Sequence, residues 1–223
     1  MRPLLLLIAT LGPAGVEDSS VRVSVAKAPV VDATMTVRSG GGGNGSGTVV
    51  RVEAGHYYVL TCAHVTDSGD LHFVGPAGGP FKAGRVVLSD ARLDLALIRV
   101  EGQPPPGARV ATLAAAEAYD AASTFTKVGF PKAGPRVVLS GKPFPYWGLS
   151  AEGVLSVVVG AKSIPGDSGG GLFRASDEAL VGVVWGGTGE DLWARTVKDI
   201  HPFLKRAYAA DGNRPRKPAN VAK

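Results

Sequence analysis

One serine in this 223-residue chain is framed as a nucleophile would be. The segment Pro165-Gly166-Asp167-Ser168-Gly169-Gly170-Gly171-Leu172 sets Ser168 in a glycine-rich turn just before an apolar run. A serine hydroxyl attacks a carbonyl only when it is exposed and when backbone N–H groups converge on the oxygen that becomes negative. Glycines on both sides permit the dihedrals and close approach this needs. The hydroxyl is still a poor nucleophile at neutral pH until a nearby base takes its proton. His64, at the end of the strand-like run Val59-Leu60-Thr61-Cys62-Ala63-His64, is the candidate base, because imidazole titrates near neutrality and can return the proton. Asp94 leads into Leu95-Ala96-Leu97-Ile98, a buried-type run. A carboxylate held there needs a partner, and the second ring nitrogen of His64 would be one. Together these residues could carry out acyl transfer.

The remaining candidates lack that setting. His56 lies in a Gly-His turn, His72 in a weak strand and His201 just before Pro202, so each reads as surface or packing. Asp90 is the nearest competitor to Asp94 but sits in a more polar, loop-like stretch.

The elements that must position these groups are short strands. Val21–Val25, Thr48–Val52, Tyr57–Thr61, Leu71–Phe73, Arg85–Leu88 and Leu95–Val100 recur with turn residues between them, as in an all-β barrel or sandwich. Residues 39–47, nearly all glycine and serine, read as a flexible loop. Three consecutive prolines cannot donate to a central ladder, so residues 103–108 read as a linker between a barrel over 16–102 and another over 109–198. The later strands are expected at Thr124–Gly129, Arg136–Ser140, Gly148–Val159, Gly171–Phe173, Leu180–Trp185 and Leu192–Thr196. A helix over 199–210 carries the apolar stripe Ile200, Phe203, Leu204 and Ala207, with Pro202 tolerated in its first turn.

Hydrophobic residues make up 45% of the chain, enough for a sizeable core without staples. The single cysteine, Cys62, excludes intrachain disulfides, and its side chain is expected to face away from His64, into a core. The net charge of +5 is local. Residues 203–223 hold six basic side chains against Asp211, and the other 202 residues sum to zero. That places the charge in a tail, residues 211–223 reading as solvated disorder, and excludes a nucleic-acid face. At the other end, Arg2, the apolar run from Pro3 to Leu11 and the small residues Gly12-Pro13-Ala14-Gly15 have the layout of a secretory signal over 1–15, cut after Ala14. The run is too short to span a bilayer, so stable membrane insertion of the mature chain is not expected, and export is.

Gly45-Ser46-Gly47-Thr48, Thr61-Cys62-Ala63-His64-Val65 and Asp90-Ala91-Arg92-Leu93-Asp94-Leu95-Ala96-Leu97-Ile98, with Ser168 following in the order His, Asp, Ser, resemble the trypsin-like (chymotrypsin-fold) serine peptidases. Over residues 45 to 200 the chain is most similar to the disulfide-free bacterial Deg/HtrA-type protease domains, although Gly-Asp-Ser-Gly-Gly itself is nearer the digestive branch. The resemblance implies an all-β fold of two six-stranded antiparallel β-barrels with the active site at their junction, plus a short C-terminal helix. It implies an oxyanion hole from the N–H groups of Gly166 and Ser168, and a peptide-binding strand at Val184-Trp185-Gly186. The chain ends too soon after the helix for the PDZ domains that many Deg/HtrA proteins carry. By the digestive pattern Lys162 falls on the floor of the primary pocket and would favour acidic side chains. By the bacterial pattern Lys162 is solvated and small apolar side chains are preferred, which is the default.

Two departures stand out. Val184 replaces the serine that helps hold the triad aspartate in the digestive branch, so Asp94 needs another donor. Asp167 lacks the freshly cut N-terminus it pairs with there, so either another cation serves it or the oxyanion loop is ordered only conditionally. The implied activity is a bacterial periplasmic or secreted serine endopeptidase acting on protein or peptide substrates, with no cofactor and no metal. The alternative is a catalytically silent peptide-binding or chaperone-like module. An α/β-hydrolase esterase is excluded, because it needs Ser before Asp before His and alternating helices.

Overall fold

The computed structural model describes residues 32–69, 72–76, 78–115, 119, 122–149 and 154–212. The expected strand at 21–25 and the N-terminal signal lie outside these residues, as does most of the basic tail.

Six strands close the first barrel: β1 (Thr34–Ser39), β2 (Asn44–Glu53), β3 (His56–Thr61), β4 (His72–Gly75), β5 (Lys82–Asp90) and β6 (Leu95–Glu101), hydrogen-bonded in the order β1-β2-β3-β6-β5-β4. A single helical turn, α1 (Ala63–Thr66), follows β3. β1 also pairs β4, so no edge is left open. Strand β1 was not anticipated, because its polar Thr34, Thr36 and Ser39 read as loop but are buried. The glycine-rich segment is likewise not a nine-residue loop. β1 runs to Ser39 and β2 begins at Asn44. Gly45 and Gly47 are strand residues where a Cβ would lie 2.6 Å from Val65 and 2.5 Å from Val59, so glycine serves close packing there, not flexibility.

The second set of strands is a seven-stranded antiparallel sheet. It comprises β7 (Phe125–Gly129), β8 (Val137–Gly141), β9 (Pro143–Leu149), β10 (Leu155–Val159), β11 (Gly171–Arg174), β12 (Leu180–Gly187) and β13 (Leu192–Thr196), in the order β8-β7-β11-β12-β13-β10-β9. Its two edge strands, β8 and β9, are separated in sequence by Lys142 alone. A sheet whose edges are joined by one residue must curl on itself, and this sheet forms a half-barrel. The single strand expected at 148–159 is two, β9 and β10, paired through Leu155↔Leu149 and Ser156↔Gly148.

Helix α2 (Val197–Gly212) starts directly from β13 and is longer than expected, so Pro202 falls in its second turn. Ile200, Phe203, Leu204 and Ala207 are buried as their spacing requires. At its far end Asp211, 8% exposed, accepts from Tyr58 (2.9 Å), Arg85 (2.5 Å) and Arg99 (2.9 Å), all on the first barrel. The helix therefore straps the second sheet to the first barrel across the junction. Burial opposes ionisation of Asp211, but its bonds from Arg85, Tyr58 and Arg99 outweigh that and hold its carboxyl below the usual carboxylate range. A depressed carboxyl pKa contributes stability above the unfolded value that is lost as pH falls toward the folded one. Replacing Asp211 with Ala should therefore destabilise the protein by about 1–3 kcal/mol at neutral pH, and by less in acid, measured by urea unfolding.

Candidate active site

His64 and Asp94 are brought together by the first barrel alone. β3 ends at Thr61, and His64 sits in the helical turn α1, not on the strand itself. Asp94 closes the turn between β5 and β6 with a left-handed φ of 52°. Aspartate tolerates this conformation better than most residues. It aims the carboxylate back at α1, where Oδ1 accepts from the His64 backbone N–H at 3.0 Å and Oδ2 lies 2.8 Å from Nδ1. The hydrogen bond to Asp94 raises the His64 pKa above its ordinary value, against a smaller lowering from burial. Asp90 is engaged elsewhere: it accepts from Leu93 N–H at 3.1 Å and from Arg206 of α2 at 2.6 Å.

The Ser168 turn comes from the second sheet and is latched onto the first barrel. Ser46 of β2 donates its N–H to the Ser168 carbonyl (2.7 Å) and its hydroxyl to the Gly166 carbonyl (2.8 Å). Phe130 N–H donates to the Ser46 hydroxyl (2.8 Å), and Thr61, at the end of β3, donates to the Ser46 carbonyl (2.7 Å). Gly166 has φ +99°, and a Cβ there would lie 2.4 Å from the Lys132 nitrogen. Gly166→Ala should therefore distort the loop before Ser168 and, on the oxyanion-hole role that the resemblance implies, lower kcat by about 10²–10³-fold with little change in KM. Steady-state kinetics on a peptide ester would measure it.

One carbonyl joins the two halves. Val184 O on β12 accepts from the Cys62 thiol at 3.2 Å, just ahead of His64, and from Gly169 N–H at 2.7 Å, just after Ser168. The order His, Asp, Ser in sequence thus corresponds to one locus in space. A family model described as trypsin-like peptidase domain matches residues 45–183, from the start of β2 into β12. The chain belongs to the trypsin-like peptidases.

Solved structures agree on the fold. The HtrA-type protease AlgW with tripeptide superposes with a TM-score of 0.68 at 22% identity, covering 79% of this chain. The chain spans 60% of the length of that AlgW chain. The Rv3671c protease, in its inactive form, gives a TM-score of 0.66 at 21% identity, covering 80% of this chain and 90% of that one. No curated protein matches this chain.

Two cations missed in the sequence organise this peptidase. Lys127, in the middle of β7, is 1% exposed, and its Nζ lies 2.5 Å from the Asp167 carboxylate, itself fully buried. Nζ also donates to the Lys162 carbonyl at 2.9 Å, and Asp167 accepts the Ile164 N–H at 3.0 Å. The cation for Asp167 is therefore internal, and the loop before Ser168 is held without a cut N-terminus. Burial lowers the Lys127 pKa, opposed by the Asp167 charge. Arg195, on β13 and 1% exposed, donates to the Leu93 carbonyl at 2.6 Å and so pins the turn that carries Asp94. Its guanidinium also bonds Ser156 (3.0 Å) and Val154 O (3.1 Å), and lies over the Trp185 ring, 4.9 Å from its centroid. The available signal was a lone cation inside each apolar strand, Phe-Thr-Lys-Val-Gly and Leu-Trp-Ala-Arg-Thr, since such residues are almost never fully buried unless paired.

Cys62 is buried, as expected, but it does not face away from His64. The two are i and i+2, a spacing that shares a face on a strand, and here, just past the end of β3, the thiol lies beside the His64–Asp94 pair. Burial first, and the Asp94 charge second, push its pKa well above the usual thiol range, so it is not itself a nucleophile.

The strand edge beside Ser168 is formed by β12. β11 pairs it only as far as Gly171↔Val183, and a bulge at Trp185 separates Val184↔Ala194 from Gly186↔Trp193. Among the described pairings, residues 185–187 have no strand on the Ser168 side. The Ser168 hydroxyl lies 3.4 Å from Trp185 O, and among the described contacts it makes no hydrogen bond to His64. Lys162 exposes its side chain, and only its carbonyl turns inward to Lys127.

Proposed function

We propose that this chain is a serine endopeptidase that hydrolyses peptide bonds in extended or unfolded segments through His64, Asp94 and Ser168 and an acyl-enzyme intermediate. The observation that carries this is the shared Val184 carbonyl, which ties the segment before His64 to the turn around Ser168. A substrate strand would lie along Trp185-Gly186 by β-augmentation, presenting its carbonyl to Ser168, whereas Val184, expected to share that edge, has its N–H and carbonyl taken by Gly170 and Gly169. Ser168 Oγ attacks the carbonyl carbon as His64 Nε2 takes its proton, and Asp94 holds the Nδ1–H tautomer and stabilises the imidazolium. The N–H groups of Gly166 and Ser168 bind the oxyanion. His64 then protonates the leaving amine, and water repeats the sequence on the acyl-enzyme. The 3.4 Å contact of Ser168 with Trp185 O is weak and is given up when substrate arrives, since catalytic hydrogen bonds tighten in the Michaelis complex.

With the Lys162 side chain in solvent, the reading takes small apolar side chains in the primary pocket. The setting is exported and bacterial. Residues 1–15 would direct export, and no helix among the described residues is long and apolar enough to cross a membrane. Incubation with an unfolded protein should yield fragments cut after small apolar residues, and Ser168→Ala should yield none. A folded wild-type protein that binds such substrates without cutting them would instead be a silent peptide-binding module, the reading that the Ser168–Trp185 contact favours.

A further inference from the structure

Three groups of different donor chemistry meet beside the site. The Cys62 thiol, a His64 ring nitrogen and the Asp94 carboxylate lie within 4.8 Å of one another. Cys62 is fully buried. The Asp94 side chain is 16% exposed and that of His64 47%. The cluster is thus a cup with its mouth on the His64 side. Sulfur, imidazole and carboxylate together form a donor set for zinc-class divalent cations, and three protein ligands leave a fourth position open. Metal–ligand lengths of about 2.0–2.3 Å put neighbouring donors of a tetrahedron roughly 3.3–3.8 Å apart. With its donors within 4.8 Å of one another, the cluster needs a contraction of up to about 1–1.5 Å on its widest side, and opening of the 2.8 Å His64–Asp94 contact on its narrowest.

We propose that Cys62, His64 and Asp94 form an inhibitory site for a zinc-class divalent cation, which acts by switching the His64 tautomer. In the metal-free protein, Nδ1 carries the ring proton and donates it to Asp94, which leaves the Nε2 lone pair for Ser168. A cation bound at Nδ1 uses that nitrogen's lone pair. The imidazole stays neutral, and its proton moves to Nε2, which then cannot accept one from Ser168. The thiol gives up its bond to Val184 O, binds as thiolate and releases one proton to solvent. No electron is transferred and no covalent bond of the chain is broken. Binding requires only the cluster; the inhibition rests on the peptidase reading.

The probe is Co²⁺ added to Ser168→Ala protein stripped with chelator. The expected result is a thiolate-to-cobalt absorption band that saturates at about one equivalent, is displaced by Zn²⁺, and is absent when Cys62→Ser is added. In the active protein, Zn²⁺ should lower the rate and EDTA restore it. Cys62→Ser and Cys62→Ala, each judged against its own metal-free rate, should lose more than about tenfold in sensitivity, the loss that even an outer-sphere change brings. No thiolate band in folded Ser168→Ala protein overturns the site. So does Zn²⁺ inhibition undiminished in both Cys62 variants. A thiolate band in a wild-type chain that never cleaves a substrate would support the site and overturn the peptidase reading, so the two fail separately.

Discussion

Asp94→Asn is expected to lower kcat/KM by about 10⁴-fold while leaving the fold intact, the cost in chymotrypsin-type triads when the wrong imidazole tautomer is held. The geometry here gives the reason that this magnitude should transfer. The Asp94 carboxylate accepts from both the backbone N–H and the Nδ1–H of His64. An asparagine can turn its NH₂ toward Nδ1, which then keeps a lone pair and leaves the proton on Nε2. The pH profile gives a second readout. His64 must be neutral to act as base, so kcat/KM rises as pH climbs through its pKa, which the Asp94 bond holds above the ordinary histidine value. Removing the carboxylate removes the largest cause of that rise, and the acidic limb of the residual activity should move to lower pH. A limb that stays put would show that another group controls it.

Lys127→Met is the second large effect. It strands the Asp167 carboxylate, fully buried and adjacent to Ser168, without its cation. Breaking one side of a buried pair costs about 3–5 kcal/mol, against which the loop before Ser168 can rearrange. The expected outcome is a loss of at least about 10²-fold in kcat, the effect of one misplaced oxyanion donor. Lys127→Met combined with Asp167→Asn removes the stranded charge and should recover most of the stability, as urea unfolding would report, but not the full rate. In the unaltered protein, activity should also fall on the alkaline side as Lys127 deprotonates, at a pH below the ordinary lysine range because burial lowers its pKa. A Lys127→Met protein with wild-type kcat would mean the oxyanion loop is held by the Ser46 latches alone.

The residues that were legible in the sequence are those whose chemistry admits few substitutes. A serine in a glycine turn, an imidazole just past a strand and a carboxylate opening an apolar run can be read by type and order, and the fold brings their segments together. The supporting residues could not be recognised that way. Lys127 shares a strand face with the buried Phe125, but its partner Asp167 lies 40 residues on in a loop, and nothing local in β7 names it. Arg195 reads the same way, although it pins the Asp94 turn from the other sheet. The placement of Cys62 failed for a local reason. Cys62 stands two residues before His64, and period-two alternation puts such a pair on the same face of a strand, not on opposite ones. β1 was missed because its buried threonines look like loop residues until a barrel closes around them.

The most direct test is labelling of the folded, purified protein with a fluorophosphonate, which reacts only with an activated serine. Labelling of the wild type at one site, lost in Ser168→Ala and strongly reduced in Asp94→Asn, is the expected result. A folded wild-type protein that takes up no label, or a Ser168→Ala protein that still does, would contradict a peptidase centred on Ser168.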